Sequence, residues 1–465
     1  MPTRGSRRDE EIVRSFDLLV IGAGSGNSVI GPEHDDWDIA MVEHGPFGGT
    51  CLNVGCIPSK MFVYTAEVAE LAAGGERLGI HTSFDGADWP AVRDRIFGRI
   101  DPIAESGRDY REGLPNVTVY PVTGRFVAPG QLAVGDEVIT ADRIVLAAGA
   151  RAVVPPVPGL EGVGYHTSDT IMRLERLPER LLVIGAGYIA AELGGVLGAL
   201  GSRVTFLLRG DSFLRREDEE ISRRFTDSYS RRFDVRTHTR ILGARREGGE
   251  VVLRVAGRDG VTADLRGDEL LVATGRRPNS DLVDATAGGL AVSDRGQVIT
   301  DDQLRTNVDG VWALGDITNP IQLKHVANHE ARVVRHNLIR PDSPITVDHR
   351  FIPHAVFGHP QIAAVGLTER ECREQGLPYV AHVQPYSAAA YGWAMEDTES
   401  AAKVIAHRDT RRLLGGHIIG PQASTLIQQL IQGMHFDLTV DQMAQGQYYI
   451  HPALPEVVEQ ALLEL

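Results

Sequence analysis

Residues 18–24 read LLVIGAG, and residues 181–187 read LLVIGAG again. Four apolar positions running into Gly-x-Gly predict a buried strand that turns sharply into a helix. In that context the first glycine permits the tight turn, the second lets the backbone approach a pyrophosphate, and the N–H groups opening the helix favour its negative charge. The identical repeat therefore predicts two nucleotide-binding units. Each copy is followed by a second apolar strand ending in small residues, RIVLAAGAR at 143–151 and LLVATGRRPN at 270–279, so the duplication extends past the fingerprint. The proline-rich VVPPVPG at 153–159 predicts an extended crossover between the units. After GRRPN the chain returns to the first unit through GVWALGDI at 310–317, and beyond residue 344 strands and helices follow without a fingerprint. The fold class read from this pattern is α/β: two Rossmann-like dinucleotide-binding domains plus a C-terminal α+β domain. The expected divisions are 1–152, 153–276, 277–344 as the return segment of the first domain, and 345–465.

The 465 residues allow about three domains of ordinary size, and 43% hydrophobic with 23% charged residues fits a folded, soluble chain. A formal charge of −15 argues against a nucleic-acid surface, so anionic ligands must be bound at local sites. The N-terminal MPTRGSRRDEEIVRS lacks the apolar core of a signal peptide and no apolar run reaches the length of a membrane span, which predicts a cytoplasmic protein.

The two fingerprints differ in ways that matter for their ligands. In the first, Gly22 and Gly24 are followed by Asn27 at the position usually held by Gly or Ala, where a larger side chain opposes close helix packing. Glu43, 21 residues after Gly22 at a strand end, is placed to accept from ribose hydroxyls and to repel a 2′-phosphate. The second fingerprint is complete, with Gly185, Gly187 and Ala190. Its strand-end residue is Arg209, 24 positions after Gly185, with Arg215 six further on; arginine there matches the 2′-phosphate of NADPH.

Directly after the first unit, GGTCLNVGCIPSK at 48–60 carries Cys51 and Cys56. In a regular helix such residues lie about 8–9 Å apart at Cα, whereas a disulfide tolerates about 7 Å, so the turn must be distorted to close it. Gly48, Gly49 and Gly55 supply backbone freedom, and Pro58 interrupts the N–H ladder. A cytosolic cysteine pair at fixed spacing is more often catalytic or metal-binding than structural. No second cluster of Cys and His completes a zinc site, so a redox pair is expected and no metal. Cys372, in TERECREQG, reads as a helix residue.

Taken together, GGTCLNVGCIPSK, two fingerprints, ATGRRPN, ALGD and HPALPE make a specific set. In it the chain resembles the pyridine nucleotide-disulfide oxidoreductases, the glutathione reductase and dihydrolipoamide dehydrogenase family, over essentially its whole length. The resemblance implies FAD at the first site, lined by Gly22, Gly24, Glu43, Gly49, Thr50, Lys60, Gly124, Gly149 and Asp316. It implies NADPH at the second, lined by Gly185, Gly187, Ile189, Arg209, Arg215 and Gly275. Cys51, on the accessible side, then resembles the thiol that attacks a substrate disulfide, and Cys56 the thiol against the flavin. Lys60 resembles the lysine near the flavin's reactive nitrogen, Glu192 its ion-pair partner, and Tyr188 the aromatic gate over the nicotinamide pocket. His451 and Glu456, in HPALPE, resemble the acid–base pair that serves the other subunit's site, which implies a homodimer joined through the third domain. His325 lies on a helix near the flavin in the family, without a catalytic role.

The substrate disulfide is read from departures within the family. The first helix is cut by Gly31-Pro32 and followed by Glu33, Asp35, Asp36 and Asp38, which would not hold polyanionic glutathione disulfide. Arg209 and Arg215 argue against an NAD-linked dihydrolipoamide dehydrogenase, which stays open as an alternative together with a redox-sensing flavoprotein that does not turn over. The C-terminal ALLEL lacks the further thiol pair of mercuric and large thioredoxin reductases. GSGNS, MFVYTAEVA, AYGWAMEDT and GQYYIHPALPEVVE resemble the branch of the family that reduces mycothione, a largely neutral disulfide of a cysteinyl pseudo-disaccharide. Tyr391, Trp393 and Met395 are candidates for contacts to its sugars.

Overall fold

The structure, a computed structural model, describes residues 13–465, and residues 1–12 of the polar N-terminal stretch lie outside the described residues. Packing divides the chain into two compact units. One runs up to Asn53 and takes in Arg99–Arg151 and Arg276–Val347; the other comprises Val54–Gly98, Ala152–Gly275 and Asp348–Leu465. Val54–Gly98, within the expected 1–152 division, joins the second unit because its helix Cys56–Ala73 packs on the helix Tyr188–Ala199.

The first unit is built on a sheet whose parallel strands run in the order Val117–Tyr120, Ile39–Val42, Arg14–Ile21 and Glu137–Leu146. Val311–Ala313 also pairs in parallel with Glu137–Leu146, and Gln131–Val134 and Arg125–Ala128 extend the sheet antiparallel. Leu18 and Val20 enter one core with Ile39, Met41 and Val334, while Leu19 and Ile21 enter the other with Ala40, Val42 and Ile144. One continuous apolar run thus serves both faces, as a strand covered on both sides requires.

The second unit holds a parallel sheet in the order Asp234–Arg236, Arg203–Leu207, Arg180–Ile184, Glu269–Val272, and a three-stranded antiparallel sheet over 240–267. It also holds a five-stranded antiparallel sheet in the order His354–Val356, Ile362–Gly366, Leu413–Ile419, Ala401–His407, Tyr379–Pro385. The helices Ala423–His435 and Pro455–Leu463 close the core of that last sheet.

The duplicated motif folds into duplicated geometry. A Cβ on Gly22 (φ +107°) would lie 2.3 Å from the Ala147 carbonyl oxygen, and one on Gly185 (φ +146°) 2.3 Å from that of Ala273. The neighbouring strand ends are tied identically: Ala147 N–H donates to Ile21 O and Ala273 N–H to Ile184 O, both at 2.8 Å. Only glycine fits either turn.

Beyond the turns the copies diverge, and the expected first helix is absent. The second copy continues into the twelve-residue helix Tyr188–Ala199. The first makes only the four-residue 3-10 turn Gly26–Val29 and the short turn Pro32–His34, with Gly31 extended between them (φ −144°, ψ −177°). Pro32 cannot donate to the ladder and holds its predecessor out of helical conformation. The buried Arg111 takes up what is left. Its Nε donates to Asn27 Oδ1 (2.7 Å), and its Nη2 to the carbonyls of Asn27 (3.0 Å) and Ile30 (3.3 Å). Asn27, anomalous as a fingerprint residue, is thus the side chain that receives this guanidinium.

Two buried acids anchor segments that carry site residues. Glu330, fully buried on the helix Lys324–Ile339, accepts from Gly315 N–H (2.6 Å) and from the Asn319 amide (3.1 Å), bracketing the turn that presents Asp316. In Glu330→Gln one end of the bracket meets a donor, and thermal unfolding should show a loss of about 1–3 kcal/mol with weakened retention of a nucleotide at this site. Glu217 lies 2.7 Å from Nε2 of His354, at the start of the strand His354–Val356. Burial disfavours the His354 imidazolium, but the hydrogen bond and charge of Glu217 outweigh it and hold its pKa above the usual histidine value. A pKa raised by folding contributes stability that is fully present below the unfolded value of about 6.5 and fades as pH rises through the folded value. The difference in urea midpoint between wild type and His354→Asn should therefore be largest at about pH 5.5 and shrink steadily towards alkaline pH.

Candidate active site

In the first unit, Glu43 follows the strand Ile39–Val42 and uses both carboxylate oxygens to shape the turn: Oε2 accepts from Ala23 N–H and Oε1 from Gly45 N–H, each at 2.8 Å. Each oxygen keeps a lone pair for a ligand hydroxyl. Gly24 and Gly49 meet backbone to backbone, since a Cβ on Gly49 (φ +59°) would fall 2.8 Å from Gly24 Cα. Asp316 stands in the turn Gly315–Ile317, where burial pushes its carboxyl above the usual range against the pull of Arg276 and Lys324. Among the described residues nothing donates a hydrogen bond to that carboxylate. The side chain is half-buried, so a ligand donor can reach its carboxylate. Gly149 (φ +68°) accepts from Asn279 N–H at 3.0 Å. Gly124 is required by packing, because a Cβ there would lie 2.7 Å from Leu132 and 3.0 Å from Val42. Thr50 is exposed on the short helix Gly49–Asn53. With the first helix missing, its dipole cannot hold a phosphate here. Lys324 supplies a full charge instead, its Nζ lying 2.9 Å from Ser25 Oγ in the fingerprint turn. The glycine cradle, the hydroxyl-accepting Glu43 and the unanswered Asp316 fit a nucleotide cofactor.

In the second unit, Gly187 caps the helix Tyr188–Ala199, and a Cβ on it would meet nothing within 4 Å. The buried Ala190 packs under Gly185, whose Cβ would lie 3.3 Å from it. An open helix N-terminus above a close strand contact fits a pyrophosphate. Tyr188, 42% exposed, is the first residue of that helix, with the half-buried Ile189 behind it. Leu214 N–H donates to Ala186 O at 2.8 Å and ties the loop carrying Arg209 and Arg215 to the fingerprint. Both arginines are exposed, and Arg215 lies 3.6 Å from Asp211, a surface pair weak enough to exchange for a ligand anion. Gly275 (φ +127°) borders open space at the end of the neighbouring strand.

The redox segment breaks into two helices, Gly49–Asn53 and Cys56–Ala73, with Gly55 irregular between them (φ −130°, ψ −119°). Asn53 closes the first by donating to the carbonyls of Gly49 (2.9 Å) and Phe47 (3.0 Å). Cys56 is exposed and Cys51 half-buried. Cys56 opens an 18-residue helix after the irregular Gly55, so no preceding turn covers it, whereas Cys51 lies inside a helix.

One turn beyond Cys56, Lys60 Nζ donates to Glu192 Oε2 at 2.6 Å. Glu192 is buried, and its other oxygen accepts from Phe357 N–H at 2.9 Å. Lys60 Nζ also stands 4.6 Å from the centroid of the Phe357 ring. Phe357 escaped the sequence reading, because nothing in HAVFGHPQ distinguishes it from a packing residue. His451 Nδ1 lies 2.7 Å from Glu456 Oε1, and Glu456 Oε2 accepts from Ala453 N–H at 3.1 Å. The bond from His451 holds the Glu456 carboxyl below its usual range, and the imidazole itself is 73% exposed.

The remaining expectations fall elsewhere. His325 is the second residue of the helix Lys324–Ile339. Tyr391 and Trp393 are exposed on the short helix Ala390–Ala394, and Met395 follows it. Of the four acids after Pro32, Glu33 pairs with Arg335 while Asp35, Asp36 and Asp38 stay exposed. Cys372 is buried on the helix Glu369–Glu374, and burial pushes its thiol up, away from reactivity. Among the described residues no group of three or more His, Cys, Asp and Glu could hold a metal, and no helix is long and apolar enough to cross a membrane.

Comparison with known proteins agrees with this geometry. The model of the pyridine nucleotide-disulphide oxidoreductase family matches residues 16–331, and that of the family's dimerisation domain matches residues 352–462. Mycothione reductase from Mycobacterium tuberculosis is 51% identical, over 97% of this chain and 100% of that protein. Dihydrolipoyl dehydrogenase from Chlamydia muridarum is 31% identical, over 97% of each chain. Among solved structures, the HOCl-induced flavoprotein disulfide reductase RclA from Escherichia coli superposes with a TM-score of 0.84 at 26% identity, covering 96% of this chain and 99% of that one. The chain belongs to the pyridine nucleotide-disulphide oxidoreductase family, enzymes that join a flavin, a nicotinamide nucleotide and a reactive disulfide, and it carries that family's dimerisation domain.

Proposed function

We propose that this enzyme is an NADPH-dependent reductase of mycothione, with FAD in the first cradle, NADPH in the second, and Cys51 and Cys56 as the redox pair. The observation that carries the substrate is the 51% identity, end to end, with a mycothione reductase, against 31% with a dihydrolipoyl dehydrogenase. The loop tie between Leu214 and Ala186, which sets Arg209 and Arg215 beside the second fingerprint, supports NADPH over NADH. A reductase of this kind works in the cytoplasm, where thiols are kept reduced.

When bound, FAD would accept a hydride from NADPH and return the electron pair to the Cys51–Cys56 disulfide, giving a thiol and a thiolate. Glu43 and Asp316 hold the flavin nucleotide through its hydroxyls, with Gly22, Gly24, Gly49, Thr50, Gly124 and Gly149 shaping the wall. Gly185, Gly187, Ile189 and Gly275 receive NADPH, and Tyr188 covers the nicotinamide pocket. Lys60, held by Glu192, fixes one positive charge a turn from Cys56. The Cys51 thiolate attacks one sulfur of mycothione, forming a mixed disulfide and releasing one mycothiol thiolate, which His451 protonates. Cys56 then attacks Cys51, releases the second mycothiol and restores the enzyme disulfide. Two electrons and two protons are consumed for two thiols formed. In a homodimer His451 and Glu456 serve the partner subunit's cysteines, so each site needs both chains.

The test is NADPH and NADH oxidation measured side by side with mycothione, glutathione disulfide and lipoamide. We expect kcat/KM for mycothione to exceed that for glutathione disulfide by about 100-fold. Comparable turnover of glutathione disulfide overturns the substrate, and faster reaction of lipoamide with the NAD couple installs the dihydrolipoyl dehydrogenase reading instead. Glu456→Gln should lower kcat with mycothione by roughly 10–100-fold, while flavin reduction by NADPH in a single turnover stays unchanged, because the His451–Glu456 pair acts only on the departing thiolate.

A further inference from the structure

Phe357 follows the short strand His354–Val356 of the five-stranded sheet, yet its N–H and its ring both meet the pair formed by Lys60 of the redox helix and Glu192. Its N–H donates to Glu192 Oε1 at 2.9 Å, while Glu192 Oε2 accepts from Lys60 at 2.6 Å. Its ring lies 4.6 Å from the same Lys60 ammonium. The carboxylate is therefore held from both sides and the ammonium is held between a carboxylate and an aromatic face. Glu192 is buried, so the hydrogen bond from Phe357 satisfies an oxygen that water does not reach freely. Lys60 is 35% exposed, and a flexible four-carbon stem would otherwise let its head group sample solvent.

The backbone that presents Phe357 has little room to move. A Cβ on Gly358 would lie 3.0 Å from Tyr229 Oη and from the Phe225 ring, so the chain at 357–358 is pressed against the helix Glu219–Arg232. Tyr229 and Phe225 are themselves stacked, with centroids 4.2 Å apart, and neither is exposed. Glu192, Glu70, Tyr229, Arg232 and Phe357 also line a small pocket of about 20 Å³, room for about one water-sized group.

We propose that Phe357 is a positioning residue for the reductive step: its N–H orients Glu192, its ring faces Lys60, and together they lock the ammonium in the one place from which it can act beside the redox pair. The inference rests on the reading of Lys60 as the charge next to the flavin. It assigns to the C-terminal domain, matched to the family as a dimerisation domain, a part in the electron input as well as in assembly. Phe357 acts through Lys60 and Glu192.

The test is rapid mixing of the flavin-loaded enzyme with NADPH and no disulfide substrate, following flavin bleaching and the long-wavelength thiolate-to-flavin band. Phe357→Leu removes the ring and keeps the N–H. We expect flavin reduction to slow by about fivefold with the apparent affinity for NADPH unchanged, and the long-wavelength band to weaken. Phe357→Tyr, which keeps an aromatic face, should restore both. In a Lys60→Met background the Leu substitution should have no further effect on rate, since the two residues act as a unit. A merely structural role would slow Tyr as much as Leu or persist when Lys60 is absent, and either result overturns the proposal, as does a wild-type rate in Phe357→Leu. If Phe357→Leu does not retain flavin, Phe357→Met keeps the volume and carries the same comparison. Wild-type enzyme that neither NADPH nor NADH bleaches would sink the functional reading itself, whereas equal rates in wild type and variant sink only this inference.

Discussion

Both nucleotide cradles depend on a turn that tolerates no side chain. At Gly22 and at Gly185 the turn leaving the central strand passes so close to a neighbouring carbonyl, Ala147 or Ala273, that a methyl group would overlap it. The close approach lets parallel strands end in step, and strands ending in step open the crevice where a ligand meets backbone N–H groups. Everything added later to each unit is arranged around that edge. The duplication is thus physical as well as textual, since the same steric limit is met twice by the same seven residues.

Around the cradles, glutamates do the work of joining segments distant in sequence. Glu43, Glu192, Glu330 and Glu456 each divide their two oxygens between two partners, and at least one of the partners is a backbone N–H. A carboxylate is suited to this because it accepts only, at two oxygens, with charge-assisted strength. The result is that Asp316, Lys60 and His451 are each fixed by an acid that does not itself need to react. The same arrangement offsets the cost of burying Glu192 and Glu330, since each oxygen has a donor.

The two cradles bring positive charge to the turn by different routes. The second uses the positive end of a helix. The first has lost its helix to Pro32, and the carbonyls that a helix would have satisfied are taken by Arg111, while Lys324 brings a formal charge to the turn. Asn27, the one residue that spoils the first fingerprint as a pattern, is where Arg111 docks. A departure from a motif here marks a substitution of one physical device for another.

The duplicated strands, the glycine turns, the helix break at Gly55 and the acidic and basic strand ends were all legible from the chain alone, because each follows from local rules of period, steric permission and charge. The exposures of Cys51 and Cys56 and the packing of Val54–Gly98 were not, since they depend on what surrounds a helix and not on its own residues. Nor could local rules find Arg111, Lys324, Glu330 or Phe357. An arginine, a lysine, a glutamate and a phenylalanine are ordinary in any amphipathic helix or apolar strand, and they acquire their roles only when folding brings them to groups tens or hundreds of positions away. Sequence by itself determined which chemistry the protein carries; tertiary structure decided which side chains hold that chemistry in place, because a hydrogen bond or a cation over a ring exists only once its two ends have been brought within reach.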